Sequence, residues 1–248
     1  MRVIALVLEY DGGGYCGFQR QAEGPTIAGE VETALAALVA HPVRLVAAGR
    51  TDAGVHATGQ VVSFETESGF ELRRFPVALS ALLRKRSIAV VRAAERPAGF
   101  SARFDAQART YRYRILNRNA PSPLEERRAY HVSLSLNPEP MREALALLRG
   151  RHDFAGFTTA EQQGSTTRCV LEASIDRDPD HLTIEITADS FLHRMVRIVS
   201  GTLVRVGRGE LSVGDVRSLL SSKTRGSAML TAPAHGLYLT HVRYADPI

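Results

Sequence analysis

Strand-period and helix-period segments follow one another along this chain in an order that occurs twice. That order limits the fold more tightly than any bulk property does. Apolar run and alternation predict a strand at Arg2–Tyr10, and Ile27, Val31, Leu35, Leu38 and Val39 form one stripe of a helix over Thr26–Ala40. Strands are expected at Val43–Ala48 and Gln60–Glu67, a helix at Leu72–Arg86 with Pro76 near its first turn, and a strand at Ser87–Arg96. After an extra strand at Arg109–Asn117 the order returns. It runs through a strand at Ala129–Ser133, a helix at Pro138–Arg149, strands at Thr167–Asp176 and His181–Ala188, and a long helix from about Ser190 to Val206. Asn137 is the expected N-cap of the Pro138 helix, with Gly150 past its end. A short helix with a Ser-x-x-Asp start (Ser212, Asp215) and a last strand at Gly236–Tyr244 close the chain.

Each half therefore reads βαββαβ, the split-βαβ (ferredoxin-like) arrangement. The expected fold is α+β. Two such units join edge to edge into a mixed, mostly antiparallel sheet with helices on one face and a central cleft open to a ligand. No linker separates the halves, and the boundary is set near Asp105, giving units 1–105 and 106–248.

A hydrophobic fraction of 44% and a charged fraction of 23% are ordinary for a globular chain of 248 residues. The apolar run Val3–Leu8 stops at Glu9, too short for a signal peptide or a membrane span, so a cytoplasmic protein is expected. Cys16 and Cys169 have no metal or redox spacing and read as idle thiols. Net charge is +5, and its distribution says more than its size. Ten basic residues lie between Arg84 and Arg118 against Glu95 and Asp105 alone, and Phe191–Gly209 carries four arginines and no carboxylate. One-sign stretches like these suit a polyanion such as RNA or DNA, or else form a solvated basic face.

Three segments carry candidate chemistry. Ala48-Gly49-Arg50-Thr51-Asp52-Ala53-Gly54-Val55-His56-Ala57 puts an acid among basic side chains on a glycine-flanked loop between two strands. Beside Arg50, Asp52 stays ionised and is a candidate nucleophile, base or electrostatic stabiliser; the plainer alternative is a turn aspartate. Pairing Asp52 with His56 as metal ligands fails for want of a third ligand at suitable spacing. In Arg109-Thr110-Tyr111-Arg112-Tyr113-Arg114, strand alternation sets Tyr111 and Tyr113 on one face and Arg112 and Arg114 on the other. Rings beside arginines suit a stacked base with a held phosphate, although Tyr113 fits a core position equally well. In Phe191-Leu192-His193-Arg194-Met195-Val196-Arg197, Arg194 and Arg197 are three apart on the expected helix. Arg197 borders its apolar stripe, where it either snorkels or meets a carboxylate. Asp11-Gly12-Gly13-Gly14 lacks the rest of a phosphate loop and reads as a turn.

Together these segments resemble the tRNA pseudouridine synthase A (TruA) family, nearly end to end. Tyr10-Asp11-Gly12 through Gly17-Phe18-Gln19 is similar to its opening signature, with Phe18 where Trp is usual. Gly49–Ala57 is similar to its catalytic loop, and Phe100–Phe104 to a segment that often has His where this chain has Ser101. Arg109–Tyr113, Phe191–Gly201, Ala232-Pro233 and Gly236-Leu237 complete the resemblance. It implies a cofactor-free, metal-free isomerase that converts uridine to pseudouridine at positions 38 to 40 of the tRNA anticodon arm, as a homodimer. It implies no DNA partner and no membrane partner. It implies Asp52 as the catalytic acid, Tyr111 as the active-site tyrosine, Arg197 as the partner of Asp52, and Arg50 as the side chain that helps displace the base. Arg109 and Arg194 are expected to contact substrate. The competing readings are a tRNA-binding chaperone module without catalysis and, more remotely, a metal-dependent nuclease.

Overall fold

The computed structural model describes residues 1–159, 164–222 and 230–248. The chain forms two compact units, one of residues 1–109 with 238–248 and the other of residues 110–237. The C-terminal strand therefore rejoins the first unit, a return that a single boundary near Asp105 does not contain.

The first unit follows the expected order: β1 (Arg2–Tyr10), α1 (Ile27–Val39), β2 (Val46–Ala47), β3 (His56–Thr66), α2 (Phe75–Leu83) and β4 (Ile88–Arg96). Its sheet runs β4-β1-β3-β10, where β10 is Leu237–Arg243, and β2 adds to β3. β1 is antiparallel to both β3 and β4, with Ile4 opposite Phe64 and Glu95. β10 is parallel to β3, pairing Tyr238 with His56 and Leu239 with Ala57. This parallel pairing explains why β3 starts at His56 rather than at Gln60: its first residues acquire a partner from the far end of the sequence. The strand expected at Val43–Ala48 shrinks to β2, because the Leu45 N–H donates to the Glu32 carboxylate (3.0 Å) and not to a ladder. The helix expected over Leu72–Arg86 is helical throughout, with 3-10 turns on either side of α2.

Ile4, Leu6 and Leu8 of β1 are fully buried, as are Val31 and Leu35 of α1 and Phe75 and Leu79 of α2. Each such side chain stabilises the fold by about 1.5–3 kcal/mol relative to exposure. Thr26 caps α1 by accepting the Gly29 N–H.

The second unit contains most of β5 (Ala108–Leu116), then β6 (Tyr130–His131), α3 (Pro138–Ala146), β7 (Gly150–Asp153), β8 (Thr167–Arg177), β9 (His181–Ala188), α4 (Met195–Gly207) and α5 (Val213–Ser221). Its strand order is β5-β9-β8-β7, with β6 parallel to β5. β8 is antiparallel to β9 and to β7. α3 packs on β8, α4 and α5. Asn137 caps α3 with Pro138 at its first turn, and Ser212 and Asp215 form a reciprocal capping box on α5. β7 was not expected: α3 ends at Ala146, short of the expected Arg149, and Gly150, at φ +95°, opens a strand. Among the described residues, no helix is long and apolar enough to cross a membrane.

Candidate active site

The loop between β2 and β3 contains Asp52, and the chain spends several buried polar groups on holding its backbone. The Ala48 N–H donates to Val61 O (2.8 Å), and Ala48 O accepts from Arg109 Nε (3.1 Å) and Nη2 (2.8 Å). Gly49 O accepts from Gln60 Nε2 (2.7 Å), and Thr51 O accepts from the Phe18 N–H (3.0 Å). The Thr51 hydroxyl meets the Tyr10 hydroxyl at 2.8 Å, and both residues are buried. Val55 N closes a turn on Asp52 O (3.2 Å), with Gly54 at φ +79°, where a side chain would be strained. Burial consequently alternates along the loop: Arg50 is exposed, Thr51 buried and Asp52 half-buried.

Tyr10 lies under this loop. Burial pushes its phenol up to about 12, partly offset by hydrogen bonds with Thr51 and Gln60. It stays a neutral hydroxyl at any working pH and holds Thr51 without adding charge. Gln60 is fully buried in the same floor. A Cβ at Gly12 would collide with the carbonyl of Val55, so only glycine lets the turn after β1 approach the end of the loop. Gly12 also donates its N–H to Nδ1 of the buried His56 (3.1 Å). Asp11 Oδ1 lies 3.1 Å from that same nitrogen. The His56 ring stacks on Tyr238, centroids 4.8 Å apart.

Tyr111 and Arg197 belong to the second unit. Tyr111, on β5, is 8% exposed and meets Phe191 edge-to-face at 5.0 Å. The expected alternation holds along this strand. Tyr113 is buried on the same face, its hydroxyl donating to Pro233 O (2.8 Å). Arg112 and Arg114 face away and pair with Glu185 and Glu125. Burial raises the Tyr113 phenol well above its ordinary range. Arg197 sits half-buried in the first turn of α4, where its Nε donates to Ala232 O (2.9 Å) and its carbonyl accepts the Ala232 N–H (3.1 Å). That reciprocal pair fixes the base of the guanidinium.

Two expectations change. α4 begins at Met195, not near Ser190, because Arg194 stands in the left-handed region at φ +60°. Arg194 is thus the exposed residue before the helix and not one turn behind Arg197 on it. Arg109, expected on substrate, spends its guanidinium on protein carbonyls: Ala48, Ala106 (3.0 Å from Nη1) and Arg103 (2.7 Å from Nη2). Tyr10 and Thr51 lie in segments singled out from the sequence, but their supporting roles, and that of Gln60, are not legible there. Tyr10 and Gln60 are polar residues at or inside an apolar strand run, which is common enough to pass for a surface position.

The model of the tRNA pseudouridine synthase family matches residues 6–105 and 144–245. A tRNA pseudouridine synthase A from Geobacter sulfurreducens is 46% identical over 245 residues, which is 98% of this chain and all of that protein. The proteins of the same name from Rhodospirillum rubrum and Caulobacter vibrioides NA1000 are 43% and 41% identical, over 96% and 97% of this chain and 86% and 98% of theirs. The chain belongs to the tRNA pseudouridine synthase family.

Proposed function

We propose that this chain isomerises uridine to pseudouridine at positions 38 to 40 in the anticodon arm of tRNA, without a cofactor and as a cytoplasmic homodimer. The observation that carries the reading is a carboxylate, Asp52, left half-exposed on a loop whose neighbouring peptide groups are tied to buried donors and acceptors. Rigid support around one accessible acid is what positional catalysis needs. A module that only grips phosphates gains nothing from an acid there. Family membership over nearly the whole chain supports the same chemistry.

The reaction breaks the C1′–N1 bond, turns the uracil and joins C5 to C1′; N1 gains a proton and C5 loses one. Asp52 starts it, by attack on C1′ or by taking a proton from the sugar to give a glycal-like intermediate. Arg197 is the proposed partner of Asp52 and orients it. Tyr111 stacks on the uracil, and its hydroxyl is the candidate for the final C5 proton transfer. Extruding a paired uridine costs a few kcal/mol, and Arg50 fills the vacated space. The arginine-rich stretches hold the phosphate backbone.

The test uses unmodified tRNA transcript with wild type and Asp52→Asn. Wild type forms pseudouridine in the anticodon arm, and Asp52→Asn binds the same RNA and forms none. Pseudouridine from Asp52→Asn would remove Asp52 from the chemistry. Tight binding without product from wild type would favour the chaperone module.

A further inference from the structure

Phe104 is 79% exposed and is the only phenylalanine so exposed among the described residues. Its loop is nonetheless among the best-tied in the first unit. The Ala102 N–H donates to the buried Ser63 hydroxyl (3.0 Å), and Ala102 O accepts from the Tyr244 hydroxyl (2.7 Å). Ser101 N donates to the Asp105 carboxylate (2.7 Å), Asp105 N returns to Ser101 O (3.1 Å), and Phe104 N points at the Ser101 hydroxyl (3.4 Å). Asp105, the one carboxylate in the turn, is thereby folded back onto the loop. The guanidinium of Arg103 lies 5.3 Å from the Phe104 ring centroid, within cation–π range. Arg109 Nη2 holds both Arg103 O (2.7 Å) and Ala48 O (2.8 Å), so one nitrogen joins this turn to the root of the Asp52 loop.

An aromatic ring kept in water on a pinned loop does nothing for the core. Beside an arginine and within a stretch of one-sign charge, it has the makeup of a stacking platform. A flat apolar face takes the base, and a cation attends to base and phosphate. We propose that Phe104 and Arg103 form a site that stacks an unpaired nucleobase of the RNA substrate close to the Asp52 loop. The proposal rests on the RNA-modifying function given above. Its occupant is a base outside a helix, because a paired base offers no free face.

The chain contains no tryptophan, so Phe104→Trp places a single reporter at the platform of the full-length protein. Excited where tyrosine does not absorb, that reporter is expected to be quenched by saturating unmodified tRNA transcript and left unquenched by a fully paired RNA duplex. Phe104→Ala and Phe104→Leu are expected to weaken tRNA binding by roughly 5- to 100-fold, with melting temperatures equal to that of wild type. Leucine matching phenylalanine would reduce the site to a greasy contact and overturn stacking. So would an unquenched reporter on protein shown by filter retention to be saturated, or equal quenching by duplex. A reporter that changes with protein concentration alone would assign the ring to a second copy of the chain, and would also overturn the site. Wild type that fails to retain tRNA at all defeats the functional reading itself, and is told apart because binding is then lost before any variant is made.

Discussion

Asp52 is set apart by its surroundings rather than by its own contacts. Its neighbours on the chain are turned inward in alternation, Thr51 onto Tyr10 and Gly49 onto Gln60, while Arg50 and Asp52 keep access to solvent. Arg197 is held by the backbone of Ala232 through Nε. That fixed base suits it to the role of an oriented cation, since little rotamer entropy remains to be lost when it meets a carboxylate. Arg197→Ala is expected to abolish turnover while shifting stability by no more than about 1–2 kcal/mol, the scale of one hydrogen bond to a carbonyl. Single-turnover kinetics with a parallel melt checks it; near-wild-type turnover would dissolve the proposed Asp52–Arg197 pair.

Between elements, the telling residue is Arg109. One guanidinium at the start of β5 serves three carbonyls on two loops, Ala48 on one and Arg103 and Ala106 on the other. Arg109→Ala leaves those acceptors without their donor and is expected to destabilise the protein by about 2 kcal/mol, in line with hydrogen bonds to a charged group. It is expected to lower kcat more than it raises KM. Arg109→Lys recovers little, since an ammonium cannot span the same fork. A rise in KM alone, with full stability, would return Arg109 to the substrate-contacting role expected from sequence. The elements themselves were largely legible. The stripe of α1, the Asn137 and Ser212 caps, and the Tyr111/Tyr113 alternation were all readable from period and capping chemistry. What was not legible depended on partners distant in sequence. β3 begins early because β10 arrives from some 180 residues later. β2 is short because Glu32 takes its amide. α4 starts late because Arg194 sits at φ +60°, and no side-chain pattern reports a backbone angle. Of the site, the proposed catalytic acid was visible as an odd cluster on a loop, whereas Tyr10 and Gln60 looked like ordinary strand residues.

Across the whole molecule, charge and buried phenols set two further expectations. With net charge +5 and its arginines grouped, tRNA affinity should fall steeply as salt is raised, with log K falling linearly in log salt. Filter binding over a salt series checks this, and a flat response would remove the basic stretches as the grip. The buried Tyr10, raised from 10.0 to about 12, binds its proton more tightly in the folded chain than in the unfolded one. Its contribution is therefore complete below pH 10 and is lost as pH climbs towards 12. Denaturant melts should show stability declining through that window, less so in Tyr10→Phe; an unchanged slope in the variant would show that Tyr10 does not carry the effect. The central claim is that this chain exchanges N1 for C5 at the uridine sugar through Asp52. The most direct measurement of it is tritium release from C5-tritiated uridine in unmodified tRNA, with EDTA present and nothing else added. Release by wild type and none by Asp52→Asn is the predicted result. Equal release by both proteins, or none by wild type that binds the tRNA tightly, would contradict it.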